Sequence, residues 1–182
     1  GGCSTELLAA LQSHHQFLSA MCDSHTQGEE QVLFPAMVGR GELVSGSLLE
    51  EHQLEAKHLT NLRALVQQVC DHAKKQPSTS ATSEVVSGAE QAVLALVREL
   101  YSATQVAMHD IASHLRVEEL ELLPAVERVF NLQEQRSLFW KVLLSMPLQV
   151  LEALLGRMGK SFDRGTAEAL LHNLRLAAPG GG

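Results

Sequence analysis

The chain writes one twelve-residue string twice. "HTQGEEQVLFPA" runs from His25 to Ala36, and "HLRVEELELLPA" runs from His114 to Ala125, eighty-nine positions later. Both fit H-x-x-x-E-E-x-x-L-[F/L]-P-A. Residues four apart on a helix point the same way and stand one turn apart. His25 with Glu29, and His114 with Glu118, therefore form two pairs, each on one helix face. Apolar residues recur at helical spacing around both strings. They are Leu7, Leu11, Leu18, Met21, Val32 and Ala36 in the first case, and Val97, Leu100, Ala107, Ile111 and Leu122 in the second. Each pair falls on its stripe and is expected to face a core. A charged carboxylate on a core face is costly unless it meets a partner or a metal. The repeat thus asks for an arrangement in which two helices bring these faces together.

Three long helices are readable, about Ser4–Met37, Glu42–Lys75 and Val85–Phe130, followed by "LQEQRSLFWKVLLSM", "PLQVLEALLGRM" and "TAEALLHNLRLA" as shorter ones. Gly39 and Gly41 end the first, "QPSTSATSE" at Gln76–Glu84 reads as a loop, and Asn131 breaks the third. Pro147 suits the first turn of a helix. No strand signal is present, so the fold class is all-α. The expected organisation is a metal-binding bundle over residues 1–130, a helical extension over 131–178 and a Gly-rich tail over 179–182. With 182 residues and 45% apolar composition, the chain can bury a full core. A net charge of −7 without a basic stripe argues against nucleic acid. "LFWKVLLSMPLQVLEALLG" is the nearest approach to a membrane span, and Lys141, Pro147 and Glu152 interrupt it. Cys3, Cys22 and Cys70 match no zinc or redox spacing, which suits a reducing, intracellular setting.

The second helix adds a third contribution. Its seam runs Leu48, His52, Glu55, Leu59, Leu62, Val66, Val69, so His52 and Glu55 interrupt apolar positions together. His52 reads as a ligand; Glu55 reads as a partner orienting an imidazole or as an extra ligand. A single H-x-x-x-E is usually a surface ion pair and a single core histidine a satisfied hydrogen-bonder, but two copies within one longer string are hard to obtain by accident. Imidazole with carboxylate suits iron, and two glutamates can bridge two metal ions. Glu30 and Glu119 lie roughly 140° round the helix and should be solvated. His14, His15, His58, His72, His109 and His172 are set aside as surface or structural positions. Pro35 and Pro124 should kink or end their helices locally. Gly28 either leaves room beside the metal or carries no role.

The two H-x-x-x-E strings ahead of "LFPA" and "LLPA", with "EEH" at Glu50–His52 between them, resemble the hemerythrin-like HHE domain. "HTQGEEQVLFPAM", "SLLEEHQLE" and "SLFWKVLLSMPLQVLEALL" are similar to the hemerythrin domains of Brutus-type plant and algal ubiquitin ligases. The resemblance implies an up-down helical bundle holding non-haem diiron, oxo- and carboxylate-bridged, on His25, Glu29, His52, His114 and Glu118. It also implies a first bundle helix with one more histidine, which is expected to be missing from the bundle read here. Ala56 stands where oxygen-carrying members place a second histidine, which argues against reversible oxygen carriage. In that branch the segment around Leu138, Phe139, Trp140, Leu143 and Leu144 follows the bundle and lies outside it, so an open apolar groove is expected.

The reading that follows is a non-enzymatic domain whose partners are iron, oxygen and the remainder of a larger regulatory protein. It would sense iron for a ubiquitin-ligase-type protein in the nucleus or cytoplasm, with the ligase chemistry outside this chain. Two alternatives stand beside it. One is a diiron oxidase or peroxidase, although ferritin-like oxidases order the motif Glu-x-x-His. The other is a degenerate helical scaffold without metal.

Overall fold

The computed structural model describes residues 2–75 and 88–178. The loop expected at Gln76–Glu84 and the tail at 179–182 lie outside the described residues. The elements are α1 (Gly2–Gly28), a π-helical turn π1 (Glu29–Leu33), α2 (Phe34–Val38), α3 (Gly46–Lys75), α4 (Gly88–Val117), a second π turn π2 (Glu118–Leu122), α5 (Leu123–Val129), α6 (Leu132–Ser145), α7 (Leu148–Ser161) and α8 (Arg164–Ala177). No strand occurs among the described residues, and no single described helix is long and apolar enough to cross a membrane.

The two repeated strings share one backbone device. Phe34 N–H donates to Glu29 O in the first copy, and Leu123 N–H donates to Glu118 O in the second. Each bond reaches back five residues instead of four, so each helix widens into one π turn that opens at the paired glutamate. The dihedral angles stay helical at both ends of each turn. Pro35 and Pro124 account for the position. Proline offers no N–H, and its ring crowds the carbonyl four residues earlier in ordinary α geometry. Widening the turn accommodates both. The prolines therefore do not end the helices; they mark where each one widens.

The chain forms two compact units. The first takes residues 1–18 and 50–114, the second residues 19–49 and 115–182, and the division passes along continuous helices. In the first unit, Leu62, Leu65, Val66, Val69 and Cys70 of α3 bury against Leu100 and Ala107 of α4, with Leu8 and Leu11 of α1 packed alongside. Leu7 and Val97, expected in apolar stripes, are 66% and 43% exposed; their neighbours Leu8 and Leu96 pack against the core in their place, beside the expected Leu11 and Leu100. The α3 seam from Leu59 to Val69 is buried as expected.

In the second unit, Phe34, Met37, Leu48, Leu122 and Phe130 form the core, joined by Leu138 of α6. Gly41, at φ +80°, makes the turn after α2. Helix α3 then starts at Gly46 rather than Glu42, because Ser45 Oγ accepts the Ser47 N–H and caps it. Asn131 and Glu134 cap α6 reciprocally: each side chain takes the other's backbone N–H, at 3.0 and 2.9 Å. Arg40 pairs with Glu134, donates to Val129 O and lies over the Phe130 ring, 5.2 Å from its centroid. These contacts fix the start of α6 against the end of α2. Pro147 sits just before α7 as its N-cap rather than in its first turn, and α6 and α7 meet there at 116°.

The groove expected to stay open is partly filled. Helix α6 lies against α1 and π1 at Gly28, where a Cβ would sit 2.6 Å from Val142 Cγ1. Gly28 is therefore a close-approach glycine for a neighbouring helix, which corrects the expectation of room beside a metal. The cluster from Leu138 to Leu144 sits over the His25 and Glu29 face and leaves a cavity of about 660 Å³ between α6, α7, α8 and π1.

Candidate metal centre

In the second unit, His25 ends α1 one turn before Glu29, the first residue of π1, while Glu118 opens π2. His25 Nε2 lies 3.3 Å from a Glu118 carboxylate oxygen and 3.9 Å from one of Glu29. The three residues each offer a ligand atom, all within 4.8 Å of one another. Glu29 and Glu118 are buried, at 7% and 6% exposure, while His25 is half-buried. Two carboxylates held this close out of water repel each other and lose hydration. A cation among them offsets both costs. The donor set of imidazole and carboxylate oxygen suits iron, manganese or zinc, and carries none of the thiolates that a soft ion would favour.

The first unit holds three buried residues singled out in the sequence, His52 and Glu55 on α3 and His114 on α4. The rings of His52 and His114 meet edge to face, 4.8 Å between centroids. His114 stands one turn before Glu118 along the chain. His114 Nδ1 is 2.9 Å from a Glu51 carboxylate oxygen. An Nδ1–H donated to Glu51 sets the tautomer and leaves Nε2 as the lone-pair nitrogen, the usual arrangement by which a carboxylate orients a ligating histidine.

Glu51 is a residue beside the candidate ligands that reading the sequence did not single out. The orienting role was considered for Glu55, one turn further along α3; the carboxylate found at His114 Nδ1 is that of Glu51. The signal was present: Glu51 and Glu55 are spaced i, i+4, so an argument for one face applies to both. Glu30 and Glu119 are exposed as expected. Three of the histidines set aside make structural contacts. His15 Nε2–H donates to Leu59 O at 3.1 Å, His72 bonds the Gln68 carbonyl within its own helix, and His58 pairs with Asp110 at 2.9 Å.

Residues 2–126 match the hemerythrin HHE cation binding domain. The chain belongs to the hemerythrin HHE family. The π turns, the paired glutamates and the buried histidines described above all fall inside the matched region of this hemerythrin-type bundle. Among curated proteins, the chain is similar to the zinc finger protein BRUTUS of Arabidopsis thaliana, 27% identical over 94% of this chain and 12% of that protein. Two BRUTUS-like zinc finger proteins of the same plant are 26% and 23% identical, over 72% and 81% of this chain and 10% of each relative. The hemerythrin-type chain thus spans about a tenth of the length of these relatives. No solved structure matches it.

Proposed function

We propose that this hemerythrin-type domain binds iron through His25, Glu29, His52, His114 and Glu118, and that it serves as a non-enzymatic regulatory module of a larger protein. The observation that carries the reading is the burial of Glu29 and Glu118 against His25, a grouping of charge that a cation stabilises. Two carboxylates with imidazoles on several helices are the donor set of a carboxylate-bridged diiron centre, which is the form we favour. Iron, when bound, supplies a positive charge whose magnitude depends on its oxidation state. The protein's own part is to hold the carboxylates apart from water, and to fix the His114 ring through Glu51.

A sensing role follows from linkage. A cation that binds the folded state and not the unfolded chain stabilises folding by about 2.7 kcal/mol at one hundred times its Kd. Iron supply is then read as the persistence of the folded domain, and a partner or a neighbouring domain responds to that. The resemblance to Brutus-type ubiquitin ligases supports a place for this module in iron homeostasis, inside the cell, with the ligase chemistry in other parts of such a protein.

The test is metal analysis of the purified chain, with and without ferrous iron added anaerobically. Bound iron above background, lost in Glu29→Gln together with Glu118→Gln, supports the proposal. A folded chain that takes up no iron would leave a helical scaffold. Turnover of peroxide or oxygen by the iron-loaded chain would move the reading to an enzyme.

A further inference from the structure

Helices α6, α7 and α8 lie beyond the stretch that matches the hemerythrin family, and none of their side chains belongs to the metal centre. They wall a cavity of about 660 Å³ with hydrocarbon. Helix α7 lines it with Leu151, Leu154, Leu155 and Met158, spaced i, i+3, i+4 and i+7, and α8 adds Leu170 and Leu174 one turn apart. Both helices thus turn a single apolar face to the same space. Leu144 of α6 and Leu155 of α7 line it yet remain 66% and 41% exposed, so the space opens to water as a groove. His25 and Glu29 border it too, but they belong to the metal centre and are not needed for docking.

The charges around the groove are unbalanced. Between Leu132 and Ala178 the chain carries six Lys and Arg against four Asp and Glu, although the whole chain stands at −7. Three of those acids are engaged within the chain: Glu134 with Arg40, Glu168 with Arg164, and Asp163 with the first turn of α8. Glu152 is the acid left to oppose the remaining cations. Lys141 and Arg175 are exposed and have no acidic partner among the described residues. Lys141 stands between the lining residues Trp140 and Val142, and Arg175 follows the lining residue Leu174, so both border the groove.

We propose that α6, α7 and α8 form a docking groove for an amphipathic helix of a partner protein, one that seats leucine-type side chains between them and carries acidic residues along its flanks. Apolar anchors one turn apart on a helix enter a groove of this kind. Acidic flanks meet Lys141 and Arg175 at the rim, where complementary charge sets partner choice and the rate of encounter. A second copy of the chain is disfavoured, because two-fold pairing brings the same face together and sets these cations against their own counterparts. A bilayer is disfavoured, because it takes up apolar residues that protrude, whereas these line a hollow. Docking goes beyond the metal-binding role and needs no bound iron.

Trp140 is the single tryptophan of the chain and lines the groove, so its emission reports occupancy. The experiment titrates the full chain, without added iron, with a blocked, tryptophan-free peptide of about 16 residues. The peptide places leucine at i, i+3, i+4 and i+7 and glutamate on the flanks. A saturable change in Trp140 emission is expected, weakening as salt is raised. The same peptide with lysine for glutamate should bind at least about tenfold more weakly. Lys141→Glu with Arg175→Glu should reverse that preference at unchanged helical circular dichroism, since both side chains are exposed. Leu144→Gln with Leu155→Gln should weaken the glutamate peptide by about tenfold. Should the leucine variant fail to fold, the charge reversal decides. No saturable change, equal binding of the lysine peptide, or undiminished binding to either folded variant would each overturn the proposal. So would binding of phosphatidylserine vesicles in place of the peptide, or a dimer in sedimentation velocity that closes Trp140 to the peptide. Iron uptake is measured separately: peptide binding without iron uptake would sink the metal reading alone, and iron uptake without peptide binding would sink docking alone.

Discussion

Replacing Gly28 with alanine should destabilise the chain, although alanine is the better helix former. The backbone at Gly28 is ordinary helix, φ −59° and ψ −40°, so no conformational penalty attaches to a side chain there. On propensity alone the change would stabilise by about 1 kcal/mol. The new Cβ, however, would sit 2.6 Å from Val142 Cγ1, with Val142 Cβ only 3.5 Å away. Valine is stiff at χ1 and cannot swing that methyl aside cheaply. Overpacking of this kind costs about 1–3 kcal/mol, which leaves a net loss of about 1 kcal/mol. Gly156 of α7 supplies the control, since nothing lies within 4 Å of a Cβ built there. Gly156→Ala should gain about 1 kcal/mol from propensity. The two glycine-to-alanine changes should thus differ in sign and by about 2 kcal/mol, which for a chain of this length separates their Tm values by about 4–8 °C. Thermal and urea unfolding measure this directly. Adding Val142→Ala to Gly28→Ala should return part of the loss, as a favourable coupling in a double-mutant cycle. If Gly28→Ala raises Tm as much as Gly156→Ala does, the close approach of α6 to α1 is wrong, and the account of the cavity beside it fails as well.

Five further outcomes are expected. Glu51→Gln should weaken iron binding by about 10- to 100-fold while leaving Tm of the metal-free protein nearly unchanged, and equilibrium dialysis of the variant against ferrous iron measures this. Because imidazole ligates only when neutral, iron retention should fall as pH is lowered from about 8 to about 5; flat retention would argue against histidine ligation. Asn131→Ala should cost about 1 kcal/mol by removing the α6 cap. The Asn131 backbone N–H, and then the Arg40 guanidinium, hold the Glu134 carboxyl below its ordinary value. Its contribution is therefore present above the unfolded-state pKa and lost as pH falls through the lowered folded value, so Glu134→Gln should flatten the acid side of a stability–pH curve. Burial pushes the Cys70 thiol up, so Cys70 should resist alkylation in the native chain and react at the unfolding transition, as mass spectrometry of pulse-labelled samples would record.

Much of the fold was legible because the helices are long and their seams continuous. The α3 seam could be read directly from its period, as could the placement of His52 and Glu55 within it, since an apolar face interrupted by ionisable residues is a local property. Residues whose roles depend on other elements were harder to place. Gly28 looks like a mere weakness in a helix until α6 is seen against it. Glu51 looks like a surface glutamate until α4 brings His114 within 2.9 Å. The position of α6 follows from an Arg40–Glu134 pair ninety-four residues apart in sequence, and no local pattern announces such a contact. Leu7 and Val97 fit their helical period yet are exposed, because period alone does not say which of two adjacent apolar positions meets a neighbour.

The π turns also change what the helix before them means for the helix after them. One extra residue in a turn advances the azimuth of everything beyond it by about 100°. Continued as plain α-helix from Glu29, the buried face would return at Leu33 and Ala36. The core instead takes Phe34 and Met37, at 6% and 2% exposure, one residue later in each case. Each string therefore works as a phase shifter, allowing a single rod to show carboxylate to one neighbour and a phenylalanine or leucine knob to another. Its length is consequently a quantised parameter. Removing one residue between Glu29 and Pro35 would place Phe34 and Met37 four and seven residues after Glu29, on the core face of a plain α-helix, whereas inserting one would turn both away, so the strings should tolerate substitution at exposed positions such as Gln31 far better than a one-residue insertion.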